Sequence, residues 1–483
     1  MTPRSASAGT TAGPATHGSH GYSPALPDPY TPGNGTPDYT VRHYELDVEV
    51  KLAANRISGR ALLHGTVQHA TRRIELDLHT PLRPGTVTAR SSAGTVRVQK
   101  AVKRRDRLVI ELSTELPAGT DLDLEIPYSG TPTFRRGTWG EVGWEELTDG
   151  VLVAAQPNGA STWFPCVDHP SVKSTYRFSI TTDAGYLAVC NGVPSGHRRR
   201  SSREQWDWEL TAPVPAYLAT VQIGRYQLTE LSAGSRRRPL TPQRQVASPV
   251  FMAVSPALKR QAQGALALQN EMMACFERHY GPYPYERYTA VVTDDALEIP
   301  LESASLSIFG ANHLDGTWAS ERLIAHELAH QWFGNALTVR QWKDIWLHEG
   351  FACYSEWVWS ADSAHATLRE QAQTAWRGLA AQPQDLVLTD PGAQLMFDDR
   401  IYKRGALALY ALRCTVGAEL FDALLRAWVQ EHLHGSVDTE MFLSFAERFL
   451  STAGIPEGRV REVMHPWLFA KALPGFPEDL SPR

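Results

Sequence analysis

With 483 residues, 42% of them hydrophobic and 20% charged, the chain has the make-up of a globular protein and enough length for two or three cores. A formal net charge of -5 excludes a dedicated nucleic-acid binder. No apolar run reaches the length of a membrane span and the first residues carry no hydrophobic signal-peptide block, so a cytoplasmic location without a membrane partner is expected. The five cysteines, Cys166, Cys190, Cys275, Cys353 and Cys414, are scattered and form no CxxC pair, which predicts reduced thiols in place of a disulfide framework or a thiolate metal site. Two short basic runs, Arg198 to Arg200 and Arg236 to Arg238, read as solvated loops.

Residues 1–37 are rich in Gly, Ala, Thr, Ser and Pro and predict a disordered arm that buries too little apolar surface to offset its ordering entropy. From Tyr39 the pattern alternates, with Tyr44, Leu46, Val48, Val50 and Leu52 on one face and Glu45, Asp47, Glu49 and Lys51 on the other, as in a half-buried antiparallel strand. The same alternation returns at Ile74, Leu76 and Leu78, at Leu108, Ile110 and Leu112, and at Leu122, Leu124 and Ile126, so residues 38–245 predict an all-β domain. The polar stretch 232–245, with Gly234, Pro239 and Pro242, predicts the inter-domain connection. Beyond it the period becomes helical. Ser255 is the expected N-cap of a helix reaching about His279, Tyr288 to Val292 predicts a short strand, and the remainder of 246–483 predicts a mainly α domain.

Within that second domain, His326-Glu327-Leu328-Ala329-His330 places two histidines four residues apart in a run of good helix formers, one turn apart on one face, where both imidazoles can meet a single ion. Glu327 lies beside them, able to hold the attacking water and move its proton. Two histidines hydrogen-bonded on a partly buried helix give the same pattern without any metal. Zinc needs a third protein ligand and an open position. Asp344 can cap a further helix whose first turns carry Glu349, and a return of that helix against the first would bring Glu349 to the histidines. An isolated acid there is otherwise an ordinary solvated side chain.

Taken with its flanks, His326 to Asn335 followed by Trp346-Leu347-His348-Glu349-Gly350-Phe351-Ala352 resembles the active-site signature of the aminopeptidase N family of zinc metallopeptidases, the gluzincins. Further stretches resemble that family: Phe164-Pro165-Cys166-Val167-Asp168-His169-Pro170, then His279 to Tyr285, and 467–477. The resemblance implies an α+β multidomain protein, a saddle-like antiparallel β-sheet domain followed by a mainly helical thermolysin-like catalytic domain, without the large helical C-terminal domain of many relatives. It also implies one zinc ion per chain held by His326, His330 and Glu349, with Glu327 activating the water. Tyr402, in Ile401-Tyr402-Lys403-Arg404-Gly405-Ala406, matches the family's catalytic tyrosine, with Arg404 in place of the usual lysine. In that role it steadies the oxyanion.

The family's amine anchor is a glutamate in a GxMEN motif on an edge strand; Ile299-Pro300-Leu301-Glu302-Ser303 keeps the glutamate and little else, and a slipped register would substitute Glu298. Gln156 resembles the β-domain glutamine that completes the amine pocket, while Asn158 stands where relatives often carry an acid. Expected substrates are peptides with a free N-terminal amine, cut one residue at a time by a monomeric enzyme. Met396, Phe397 and Ile299 are candidates for the pocket wall. Three rivals remain. A silent scaffold has no need of three ligands, a base and a tyrosine together; leukotriene-epoxide hydrolysis needs a carboxylate-binding part contributed by the missing domain; and a thermolysin-type endopeptidase would lack an anchor such as Glu302.

Overall fold

A computed structural model describes residues 27–231 and 248–478. The alternating segments of the first half form three sheets. The largest has nine strands and runs, in spatial order, through Val193–Arg200, Arg203–Pro215, Lys173–Asp183, Tyr39–Lys51, Arg56–Val67, Asp121–Gly130, Thr88–Ser91 and Gly94–Val96, with the two-residue strand Arg83–Pro84 also on Asp121–Gly130. It is antiparallel except where Tyr39–Lys51 pairs parallel with Lys173–Asp183. Tyr44, Leu46, Val48 and Val50 are buried as their alternation requires, whereas Leu52 leaves the strand in a short 3-10 turn. A five-stranded sheet from Arg135–Gly137 to Val221–Gly224 faces the catalytic half, and a three-stranded sheet completes the unit. Arg198 to Arg200 are strand residues of a hairpin, not a loop, and Arg198 and Arg199 pair with Asp207 and Glu204. Arg236 to Arg238 and the expected connection 232–245 lie outside the described residues.

The second half carries helices α1 Lys259–Ala265, α2 Gln269–Tyr280, α3 Trp318–Ala329, α4 Trp346–Asp362, α5 Leu368–Ala380, α6 Asp399–Val416, α7 Ala418–His432, α8 Thr439–Thr452 and α9 Arg459–Leu468. None of them is long and apolar enough to cross a membrane. The single helix expected from Ser255 is two, broken at Leu266 to Leu268, and Ser255 caps neither because its hydroxyl is bonded to Asp294 at 2.5 Å. Asp344 likewise does not cap α4; its carboxylate accepts from the Thr439 hydroxyl at 2.5 Å and ties α4 to α8. α3 is capped by Thr317, whose side chain accepts from the Ser320 amide.

Against these helices packs a five-stranded mixed sheet, in the order Gln227–Glu230, Val250–Val254, Tyr288–Thr293, Leu306–Gly310 and Leu301–Ser303. Its three central strands are parallel, and Leu301–Ser303 is the antiparallel edge strand. Parallel strands buried on both faces show no alternation, and the expected strand Tyr288 to Val292 is the middle one of the three. Gln331, at the end of the α3 segment, accepts from Ser305 N at 2.8 Å and donates to Ser303 O at 3.0 Å, fixing this edge hairpin to the helix.

α4 and α6 cross backbone to backbone at Gly350 and Gly405. A Cβ added to Gly405 would lie 2.7 Å from Gly350 Cα, closer than any real contact. Gly405→Ala is therefore expected to destabilise the protein by about 1–3 kcal/mol through overpacking, read as a lower urea unfolding midpoint. An unchanged midpoint would mean that the crossing is looser than described.

Candidate active site

The return of α4 against α3 brings Glu349 onto the two histidines. Its Oε2 lies 3.4 Å from both His326 Nε2 and His330 Nε2, and the ligand atoms of the three residues all fall within 4.8 Å of one another. Each ring is oriented from its far side. His326 Nδ1 donates to Glu356 at 2.7 Å, and Glu356 accepts in turn from Arg322 at 2.7 Å. His330 Nδ1 donates to the Phe333 carbonyl at 3.0 Å. With both Nδ1 atoms so committed, each ring in its neutral form would present the Nε2 lone pair on the side of Glu349, the tautomer that a metal requires. Gly334, at φ +120°, allows the chain to turn there, and a Cβ at that position would press on His330 Nδ1 at 3.1 Å.

Burial pushes His326 and His330 toward the neutral form, but the Glu349 and Glu356 hydrogen bonds at His326, and the Glu302 and Glu349 charges at His330, lift them to about 9 and about 10. Burial also pushes Glu327 up to about 8, and its Oε2 is buried with no hydrogen-bond partner among the described residues. Burial would raise Glu349 as well, yet the charge of His330 and the hydrogen bonds from both histidines hold it well below the usual carboxylate range. Two imidazole nitrogens, one anionic oxygen and the Glu327 carboxylate beside them fit a divalent cation that would replace the histidines' Nε2 protons and leave one position for water, and the mixed N/O set suits zinc. His348, next to Glu349, is fully buried, lowered to about 3 by that burial, and accepts from Val339 N at 2.9 Å, which holds the first turn of α4 in place.

Glu302 sits on the edge strand and reaches the same site, its carboxylate clustering with Glu327 and His330. Glu298 is exposed in the preceding loop. From the β half, Gln156 Nε2 donates to Glu302 Oε1 at 2.6 Å. Asn191, also from the β half, donates to Ala304 O at 2.7 Å and to Ser303 Oγ at 3.0 Å, so the hairpin bearing Glu302 is gripped on both sides. Tyr402, in the first turns of α6, stacks on the His326 ring with centroids 5.9 Å apart. Burial, followed by the charges of Glu349, Glu302 and Glu327, keeps its hydroxyl protonated far above its ordinary value.

All seven residues singled out from the sequence thus converge. Asn158 does not join them: it is buried and bonds Asn34 at 3.1 Å. Of the suggested wall residues, Met396 is fully buried, Ile299 is 62% exposed, and Phe397 packs edge-on against Trp139. Glu356 and Arg322, which bond behind His326, are neighbours of the site that the sequence reading missed, although Glu356 follows Glu349 by two helical turns and Arg322 precedes His326 by one.

Comparison with known proteins agrees with this architecture. Residues 40–218 match the Peptidase M1 N-terminal domain and residues 265–467 the Peptidase family M1 domain. Human aminopeptidase Q is 24% identical over 473 residues, covering 90% of this chain and 46% of its own, and rat aminopeptidase B is 28% identical over 342 residues, covering 66% and 49%. The chain accordingly spans about half the length of these curated relatives. The crystal structure of an M1 zinc metallopeptidase from Deinococcus radiodurans, 26% identical, superposes with a TM-score of 0.81 over 94% of this chain and 99% of that one. A variant of the same enzyme bound to a Tyr-Ser-Ala substrate gives 0.82 with the same coverage. This chain belongs to peptidase family M1, with the β-rich N-terminal and helical catalytic domains of a two-domain member.

Proposed function

We propose that the chain is a zinc aminopeptidase that removes single residues from peptides with a free N-terminal amine. The observation that carries this reading is the 2.6 Å bond between Gln156 and Glu302 at the edge of the metal-ligand group. A half-buried carboxylate so placed matches a substrate ammonium, a group that the substrate of an endopeptidase does not present there. His326, His330 and Glu349 would hold one zinc ion per chain, which supplies Lewis-acid polarisation of the scissile carbonyl and lowers the pKa of a water.

The protein's own groups do the rest. Glu302 accepts from the substrate ammonium, and Gln156, its amide nitrogen bound to Glu302, offers its carbonyl oxygen as a second acceptor. Glu327 takes the proton of the attacking water and delivers it to the leaving amine. Tyr402 donates from its hydroxyl to the carbonyl oxygen as negative charge develops, already oriented by its stacking on His326. Glu356 and Arg322 keep His326 from rotating. We assign the activity to a monomer, and to the cytoplasm because all five cysteines are buried free thiols.

Metal analysis joined to a panel of aminoacyl-arylamides tests this. One equivalent of zinc and cleavage of free-amine substrates with none of the N-acetylated control is expected; cleavage of the blocked control would overturn the amine anchor, and a metal-free active protein would overturn the zinc assignment.

A further inference from the structure

The segment expected to be the end of a disordered arm is built into the interface between the two halves. Residues 27–36 are described and largely buried, with Asp28 and Thr31 each only 2% exposed; residues 1–26 lie outside the described residues. Local composition predicted disorder because the segment has few apolar side chains, but its polar groups find partners far away in the sequence.

Those partners share one property. Asp28 Oδ2 accepts from the Trp342 amide at 2.7 Å, at the start of the turn that feeds α4 and, seven residues on, Glu349. The Tyr30 hydroxyl donates to Asp390 Oδ1 at 2.5 Å and accepts from the Gly392 amide at 2.8 Å, in the loop that leads into α6 and Tyr402. Asn34 Oδ1 accepts from Asn158 Nδ2 at 3.1 Å and from Arg135 at 3.3 Å, and Asn158 lies two residues from Gln156. The Gly35 amide donates to Asp77 Oδ2 at 2.9 Å, and its carbonyl accepts from Arg107 at 2.8 Å, which anchors the far end in the β half. Pro27, Pro29 and Pro32 restrict the chain between these bonds, so little freedom is lost when they form.

We propose that Asp28, Tyr30 and Asn34 are positioning residues: the 27–36 strap sets the Gln156 loop of the β half against the elements that carry Glu349 and Tyr402. The amine pocket is shared between the two halves, so the separation between the substrate's ammonium and its scissile bond depends on how those halves are held. A strap bonded to both, at positions leading directly into Gln156, Glu349 and Tyr402, sets that separation. This inference rests on the aminopeptidase reading.

A strap that only glues the halves together would lower stability and leave substrate affinity and turnover alone, so the test reads KM and kcat separately on the full chain. Asn34→Leu cuts the links to Asn158, Arg135 and Asp77 and is expected to raise KM for the preferred aminoacyl-arylamide about tenfold with kcat nearly unchanged. Asn158→Leu cuts the Asn34 link alone from the other side and should also raise KM, with the double variant no worse than Asn34→Leu. Tyr30→Phe, which removes the bond to Asp390, should instead lower kcat about fivefold at constant KM. Zinc content is measured for each, and if Asn34→Leu does not fold, Asn158→Leu decides. Unchanged KM in the asparagine variants, or additive losses in the double variant, overturns the positioning role. An unsubstituted chain that holds zinc but cleaves no free-amine substrate refutes the aminopeptidase reading itself, and the proposal with it.

Discussion

Replacing Glu327 by glutamine is expected to lower turnover of free-amine substrates by about 10²–10⁴-fold while leaving zinc content and folding intact. Glutamine keeps the shape and hydrogen-bonding reach of the side chain but cannot accept a proton. Glu327 Oε2 has no partner among the described residues, so replacing that oxygen takes a hydrogen bond from none of them. A fall in kcat without a matching rise in KM would place the loss in the proton-transfer step. A variant that cleaves at near the parent rate, measured on the same arylamides at equal metal content, would remove Glu327 from the chemistry. Loss of zinc in the variant would instead make it a metal ligand.

Replacing Arg404 by leucine is expected to destabilise the protein by about 3 kcal/mol. The Arg404 side chain is 4% exposed and donates to the carbonyls of Pro466, Trp467, Ala470, Lys471 and Ala472. It is therefore the cap of α9 and of the chain beyond it, supplied from α6. Burial lowers it only to about 10, so it stays charged at neutral pH. Leucine fills part of the volume but leaves those carbonyls unsatisfied. Arg404→Lys should recover only part of the loss, because one ammonium offers three donors where the planar guanidinium offers five. Urea unfolding read by tryptophan fluorescence measures both, and limited proteolysis should cut the leucine variant first within 466–472. Equal midpoints for parent and leucine variant would show that the carbonyls find other partners.

What was legible in the sequence, and what was not, follows from the range of the interactions. The grouping of His326, His330 and Glu349 was legible because the two histidines share a helix face by spacing alone and Glu349 comes with recognisable flanks. The strand from Tyr39 was legible because one of its faces is wet. The three central parallel strands carry no alternation because both sides are buried, and of them only Tyr288–Thr293, the longest, was legible. Ser255 and Asp344 look like caps by local rules, but each side chain is claimed by a distant group, Asp294 and Thr439 respectively. The 27–36 strap fails for the same reason on a larger scale: Tyr30 is bonded to residues 360 and 362 positions away, and no window of sequence carries that information.

The contact of Gly350 with Gly405 sets the spacing of α4 and α6 by backbone alone. Between the Cα atoms of Glu349 and Tyr402 the mechanical path runs through two helix backbones touching directly, with no long side chain at the crossing whose rotation could lengthen it. Between the two halves the path runs through side-chain hydrogen bonds, from Gln156 to Glu302 and from Asn191 to Ser303 and Ala304. A change of side chain can therefore alter the second spacing and leave the first untouched.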